Sequence, residues 1–173
     1  MDAKELSLVA VFVSLSIAMR LTKNIATSIQ FVNIPLAFAL VSATLYGSKV
    51  GFLVGFLSYL LSDLLIFPGI WTVFDSALAG ITALIYGFAC KPSNDRIYKF
   101  IVTFLFVFFF DLLTSVILYV FFGINLKEAI ITGLIGLFIP VMGGYLIGVG
   151  PLTEFVTALL VVILSEEIRN RKI

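Results

Sequence analysis

Apolar residues run in long blocks with no alternation of period two, so the chain reads as helical throughout. The blocks cover residues 6–21, 31–46, 50–67, 70–90 and 98–122, with a long last stretch over 129–164. Breaks fall at Thr22-Lys23-Asn24, Gly47-Ser48-Lys49, Pro68-Gly69, the polar run 91–96 and Gly123-Ile124-Asn125. A bilayer-spanning helix takes about 20 apolar residues. The first two blocks are short for this, so tilt or local thinning of the bilayer is expected. The last stretch contains Pro140, Gly143, Gly144, Gly148, Gly150 and Pro151. Proline removes a backbone donor and glycine loosens a helix, so one continuous helix is not expected there. The pattern predicts a short helix over 127–139, a Gly-rich loop or re-entrant cover up to Gly150, and a final span from Pro151 to Glu166-Glu167. Irregular backbone at membrane depth survives only when buried in protein or beside a wet cavity. The expected architecture is an all-α integral membrane protein. It is a six-transmembrane-helix bundle with a Gly-rich extracellular cover between the fifth and sixth spanning helices. No repeat or long linker divides it, so residues 1–173 form one membrane domain.

Composition supports a bilayer as solvent. Hydrophobic residues make up 61% of the 173 and charged residues 12%, against about 45–50% and about 25% in soluble domains. A water-soluble fold of this size cannot cover that much apolar surface. A secreted disulfide domain, a disordered chain and a nucleic-acid binder are excluded, the last because the net charge is only +1 and no basic patch forms. With six spans, Lys4, Lys49, Lys91, Arg96, Lys99, Arg169, Arg171 and Lys172 share one membrane face. Arg20, Lys23 and Lys127 share the other. The positive-inside rule then puts both termini in the cytoplasm of a multi-pass cell-membrane protein. A seventh span would turn the basic C-terminal run outward. Asp2, Lys4 and Glu5 do not form the positive n-region of a signal peptide, so the first apolar segment is expected to be retained.

Missing residue types narrow the chemistry. There is no His, which removes His metal ligation and a Ser/His/Asp triad. A single Cys90 forms neither an internal disulfide nor a Cys zinc site. No phosphate-binding G-x-x-x-x-G-K-[ST] loop occurs. Catalytic residues, a metal and a cofactor are not expected.

Two helices carry stripes of small residues. Ala10, Ser14 and Ala18 lie four apart on the first helix, extended by Ala3 and Ser7, and Gly47, Gly51 and Gly55 do the same at the start of the third. Small-xxx-small faces allow close helix approach in lipid. The glycine stripe reads as packing within the chain. The helix 1 stripe suits either internal packing or docking of another membrane subunit.

Four carboxylates stand where burial in a bilayer is costly: Asp63, Asp75, Asp111 and Glu154. The topology places them on four helices in the outer half of the bundle, with Asp111 nearest mid-membrane. Each has an ordinary explanation beside the functional one. Asp75 completes a capping-box pattern with Thr72. Glu154 follows Pro151 in a first helical turn, where the helix dipole favours an acid. Asp63 near the interface is open to solvation. Asp111 has the weakest such excuse, and Thr103, Thr114 and Ser115 share its face like the lining of a cavity. Trp71, Tyr59 and Tyr145 supply aromatic surface at the same level, either as an interfacial belt or as a wall for a flat ring. Asn33 before Pro35 reads as an N-cap first and a pocket donor second. The candidate substrate-binding set is Asn33, Asp63, Trp71, Asp75, Asp111, Tyr145 and Glu154.

Taken together these features resemble the substrate-binding S component of energy-coupling factor (ECF) vitamin transporters, over nearly the whole chain. The resemblance rests on length, six spans with both termini inside, and the Ala10-xxx-Ser14-xxx-Ala18 face. It rests also on the run from Leu45 through Gly51 and Gly55 to Asp63, and on Gly150-Pro-Leu-Thr-Glu154 opening the last helix. It implies uptake of a small water-soluble vitamin or related solute. The implied partners are a membrane-embedded coupling subunit, docked on Ala10, Ser14 and Ala18, and two cytoplasmic ATPases. Ser14 replaces one of the family's small alanine-type positions, which leaves the docking register open. The family's binding residues vary with the vitamin, so no ligand contact is transferred.

Two other readings compete. A stand-alone proton- or cation-coupled carrier would use Asp111, but the inverted repeat of such carriers is not visible. An intramembrane aspartyl hydrolase would pair Asp63 with Asp75, but no Gly-x-Gly-Asp motif is present. If Arg20, Lys23 and Lys127 stay clear of the pocket, its field is negative. It then favours a cationic or neutral donor-rich ring such as a thiamine-like compound over a folate-like dianion.

Overall fold

The computed structural model describes residues 2–27, 31–90, 95–138 and 150–171. These residues form seven α-helices and no strand: α1 (Ala3–Ala26), α2 (Ile34–Tyr46), α3 (Ser48–Ile66), α4 (Ile70–Cys90), α5 (Arg96–Phe121), α6 (Leu126–Phe138) and α7 (Gly150–Asn170). By length and composition α1, α3, α4 and α5 are each able to cross a membrane. The expected short helix before the last span is present as α6, and the last helix starts within a residue of Pro151. The expected Gly-rich cover, with Tyr145, lies outside the described residues.

The shortest of the first five helices is the most buried. All ten residues from Ile34 to Ala43 of α2 are shielded. A helix that is apolar all round belongs inside a bundle, and α2 packs on α1, α3, α4 and α7. Asn33 starts it by accepting the Leu36 N–H at 3.2 Å, with Pro35 in the first turn. Gly47, at φ +99°, ends α2 and starts α3 in one residue. Such a φ suits glycine, which lacks a Cβ.

The glycine stripe of α3 packs inside the chain, as expected. A Cβ on Gly51 would meet the Ala43 Cα at 2.9 Å, and one on Gly55 would meet the Ala79 carbonyl oxygen at 2.7 Å. The α3 backbone thus rests directly on α2 and α4, the most extensive contacts in the fold. Further along, Tyr86 of α4 bonds Thr103 of α5 at 2.7 Å, and Arg96 of α5 pairs with Glu166 of α7 at 2.8 Å.

The first helix is longer than its apolar block. Asp2 caps it through the Glu5 N–H at 2.7 Å, and it continues past Leu21 to Ala26. It buries Val9, Phe12, Val13 and Ser16, while Ala10, Ser14 and Ala18 are exposed together with Val11 and Leu15. The small-residue face of α1 is therefore not used for packing among the described residues.

Gly55→Leu should lower stability by about 1–3 kcal/mol, the usual cost of overpacking, because the facing atoms are backbone. Thermal unfolding in detergent measures it. Gly136→Leu, with open space around it, should keep the wild-type midpoint.

Candidate binding site

A cavity of about 180 Å³ lined by charged and polar side chains lies where α1 ends and α2 begins. Its walls come from five helices and the turn before α2: Arg20 and Lys23 of α1, Asn33, Tyr59 of α3, Asp111 of α5 and Thr153 of α7, with Val32 of the turn and Ile34 and Pro35 of α2 as the apolar part.

Asn33 is the hub. Its Oδ1 accepts from the Tyr59 hydroxyl at 2.6 Å as well as from Leu36 N–H. Its Nδ2 points to Asp111 Oδ1 at 3.5 Å, and its backbone N–H donates to Thr157 Oγ1 at 2.9 Å. One residue therefore caps α2 and ties α3, α5 and α7 to it. The capping and pocket roles expected as alternatives are combined.

Arg20 lies across the same region. Its Nη1 pairs with Asp63 Oδ1 at 2.6 Å and also bonds Ser62 Oγ, while its guanidinium carbon sits 5.3 Å from the centre of the Tyr59 ring. A cation over an aromatic face gains further electrostatic attraction. Arg20 and Lys23 follow Val9, Val13 and Ser16 along the inward side of α1. The premise that the bases stay clear of the pocket is thereby overturned, because α1 runs a full turn beyond its apolar block and carries both onto the cavity wall.

The sequence candidates separate into groups. Asn33 and Asp111 line the cavity. Asp63 is behind the wall, engaged by Arg20, and Asp75 lies within Coulomb range of Asp63 and Arg20. Glu154 is fully buried next to Asp111. Trp71 is not on the cavity. Its indole N–H donates to the Phe67 carbonyl at 3.2 Å and its ring stacks on Phe67 at 5.4 Å. Tyr145 lies outside the described residues. The capping box expected at Thr72 is not formed, because α4 starts at Ile70 and Thr72 already lies in its first turn, where it accepts from Gly69 N–H at 3.2 Å. The polar stripe on α5 is also not a lining. Thr114 and Ser115 donate to the backbone carbonyl of Asp111 at 3.0 and 3.1 Å, and Thr103 bonds Lys99 and Tyr86.

Polar atoms without partners mark this end of the bundle. Asp111 Oδ2, both Glu154 carboxylate oxygens, Asp63 Oδ2 and Asp75 Oδ1 are buried with no hydrogen bond among the described residues. Buried carboxylates without donors are expensive, so these acceptors are the part of the site that a solute's donors improve.

A family model for the S component of the ECF-type riboflavin transporter matches residues 1–169. The chain belongs to that family. Among curated proteins this S component is 36% identical over 94 residues to a UPF0397 protein of Lactobacillus helveticus (strain DPC 4571), covering 52% of the chain and 50% of the relative. It is 36% identical over 80 residues to a UPF0397 protein of Clostridium perfringens (strain SM101 / Type A), covering 44% of the chain and 43% of the relative. The chain spans about half the length of the curated relatives it matches. No solved structure gives a significant match. Membership makes the S component a multi-pass membrane protein and a transporter component, in agreement with its four long apolar helices.

Substitutions at Asn33 separate its two jobs. Asn33→Ala should cost about 1 kcal/mol for the lost cap and a further ~1–3 kcal/mol for leaving the buried Tyr59 hydroxyl unpaired. Asn33→Ser should recover only the cap. The difference between the two unfolding midpoints checks the assignment.

Proposed function

We propose that the cavity is the substrate site of an ATP-driven ECF uptake transporter and that the solute is a small water-soluble vitamin or related compound. Membership of the S component family supports a substrate-binding membrane subunit. The observation that carries the finer reading is the set of unpartnered acceptors around a polar cavity at one end of an otherwise apolar bundle. The site residues proposed are Asn33, Asp111 and Glu154 near the solute, with Asp63 and Asp75 acting through Arg20. The family's name concerns riboflavin. That flat, donor-bearing ring and the thiamine-like rings favoured by the carboxylates are the first solutes to test.

The topology proposed has six spans, α2 and α7 completing the four long ones, with both termini in the cytoplasm. The excess of basic residues near the termini and the α2–α3 and α4–α5 turns supports this sidedness. The cavity then faces outward. Ala10, Ser14 and Ala18 form the docking face for the membrane-embedded coupling subunit, and two cytoplasmic ATPases supply the energy. The exposure of these three residues supports that role, since a bare small-residue face lets a partner backbone approach closely in lipid. Co-purification with the coupling subunit and ATPases, and uptake that needs ATP, test the reading against a stand-alone carrier. Uptake by the pure chain driven only by an ion gradient would favour the carrier. Mass spectrometry of the purified chain identifies any retained solute.

Ala10→Trp and Ala18→Trp should abolish co-purification of the coupling module and solute uptake. Folding and binding of the retained solute should stay at wild-type level, because α1 presents this face away from the cavity. Loss of folding together with docking would show that the face packs within the chain.

A further inference from the structure

The hydrogen bonds around the cavity point in one direction. The Tyr59 hydroxyl donates to Asn33, and the Asn33 amide donates toward Asp111 Oδ1. Among the described residues no donor reaches Asp111 Oδ2, although only 8% of that residue is exposed and it lines the cavity. Behind it, Glu154 is 0% exposed with both carboxylate oxygens unpartnered and within Coulomb range of Asp111. The cavity therefore has an acceptor-rich floor that its own residues do not satisfy. On another part of the wall stands Arg20, fixed by Asp63, Ser62 and the Tyr59 ring. A guanidinium has five donors, and the recorded bonds to Ser62 and Asp63 both use Nη1.

We propose that the cavity takes a two-ended solute, with an amidine- or amine-type donor group on Asp111, backed by Glu154, and an acceptor or anionic group at Arg20. The inference rests on the substrate-binding reading above. An amidine meets a carboxylate with two parallel hydrogen bonds, the strong geometry for such pairs. In a poorly hydrated cavity, opposite charges at two places on the wall orient a dipolar solute and disfavour its reversed pose. A simple cation uses only the Asp111 end of the cavity, and a dianion puts negative charge on the Asp111 floor.

The test uses the full chain in lipid nanodiscs and three ring probes: benzamidine, benzoate and para-amidinobenzoate, titrated by calorimetry. Para-amidinobenzoate should bind tightest. Asp111→Asn should weaken both amidines by about tenfold or more, the loss expected for a charged hydrogen bond, and leave benzoate unchanged. Glu154→Gln should act in the same sense with a smaller loss. Equal affinity for all three probes overturns the proposal, as does a folded Asp111→Asn protein that keeps wild-type affinity for the amidines. If Asp111→Asn does not fold, the wild-type ranking of the three probes decides. No binding of any probe by a chain that still co-purifies with the coupling subunit overturns the two-ended site and leaves the transport reading standing. Probe binding in the predicted order by a chain that captures no coupling subunit supports the site and removes the transport reading.

Discussion

The side chain of Asn33 sits where four helices have to agree. As the cap of α2 it supplies an acceptor that a helix N-terminus always needs. The same oxygen takes the Tyr59 proton, the amide nitrogen faces Asp111, and the backbone N–H is held by Thr157. Bonds of this kind are strong in low-dielectric surroundings, where an unpaired group is costly. The position of α3, α5 and α7 relative to the start of α2 is thus set by the side-chain amide and backbone N–H of one residue, and the cavity wall is set with it. The cavity is a by-product of how the central helix begins.

Much of the architecture was legible in the apolar blocks. Four of the five breaks became helix boundaries, the first lying instead inside α1, and the glycine spacing of α3 correctly announced a backbone-to-backbone contact. The depth of α2 was less visible. Its block looked like a short span, yet its apolar run from Ile34 to Val41, with no charged residue in the helix, was the signature of a helix surrounded on every side. Periodicity needs a polar face to report orientation, and α2 has none.

The candidate site was legible in part. Asp111 stood out because a carboxylate in an apolar helix has few ordinary uses, and Asn33 entered the set as an N-cap first and a pocket donor second. Arg20 and Lys23 were missed because one sits at the very end of the apolar block 6–21 and the other just beyond it, where charged residues look like the start of a loop. The signal was the spacing of Val9, Val13, Ser16, Arg20 and Lys23, which follows one helical face. Thr153 and Thr157 were missed because hydroxyls in a helix usually bond their own turn. Trp71 was over-read, since its side chain is satisfied by Phe67 alone. Thr103, Thr114 and Ser115 shared a face with Asp111 but serve the backbone and α4. Sharing a helical face does not place residues in one cavity when the helix is 26 residues long.

The contact of Gly55 with the Ala79 carbonyl has a mechanical consequence. Two helices that touch through their main chains have no side-chain cushion to deform, so α3 and α4 travel as one rigid plate with α2 lodged against them. Any motion that admits or releases a solute has to run along softer seams. Helix α1 is joined to α3 at the cavity end by Arg20, whose long flexible stem accommodates sliding that a glycine seam forbids. The same helix carries the exposed Ala18, Ser14 and Ala10 two, six and ten residues before Arg20. A push on that face is delivered to the plate as shear, with the arginine as its pivot.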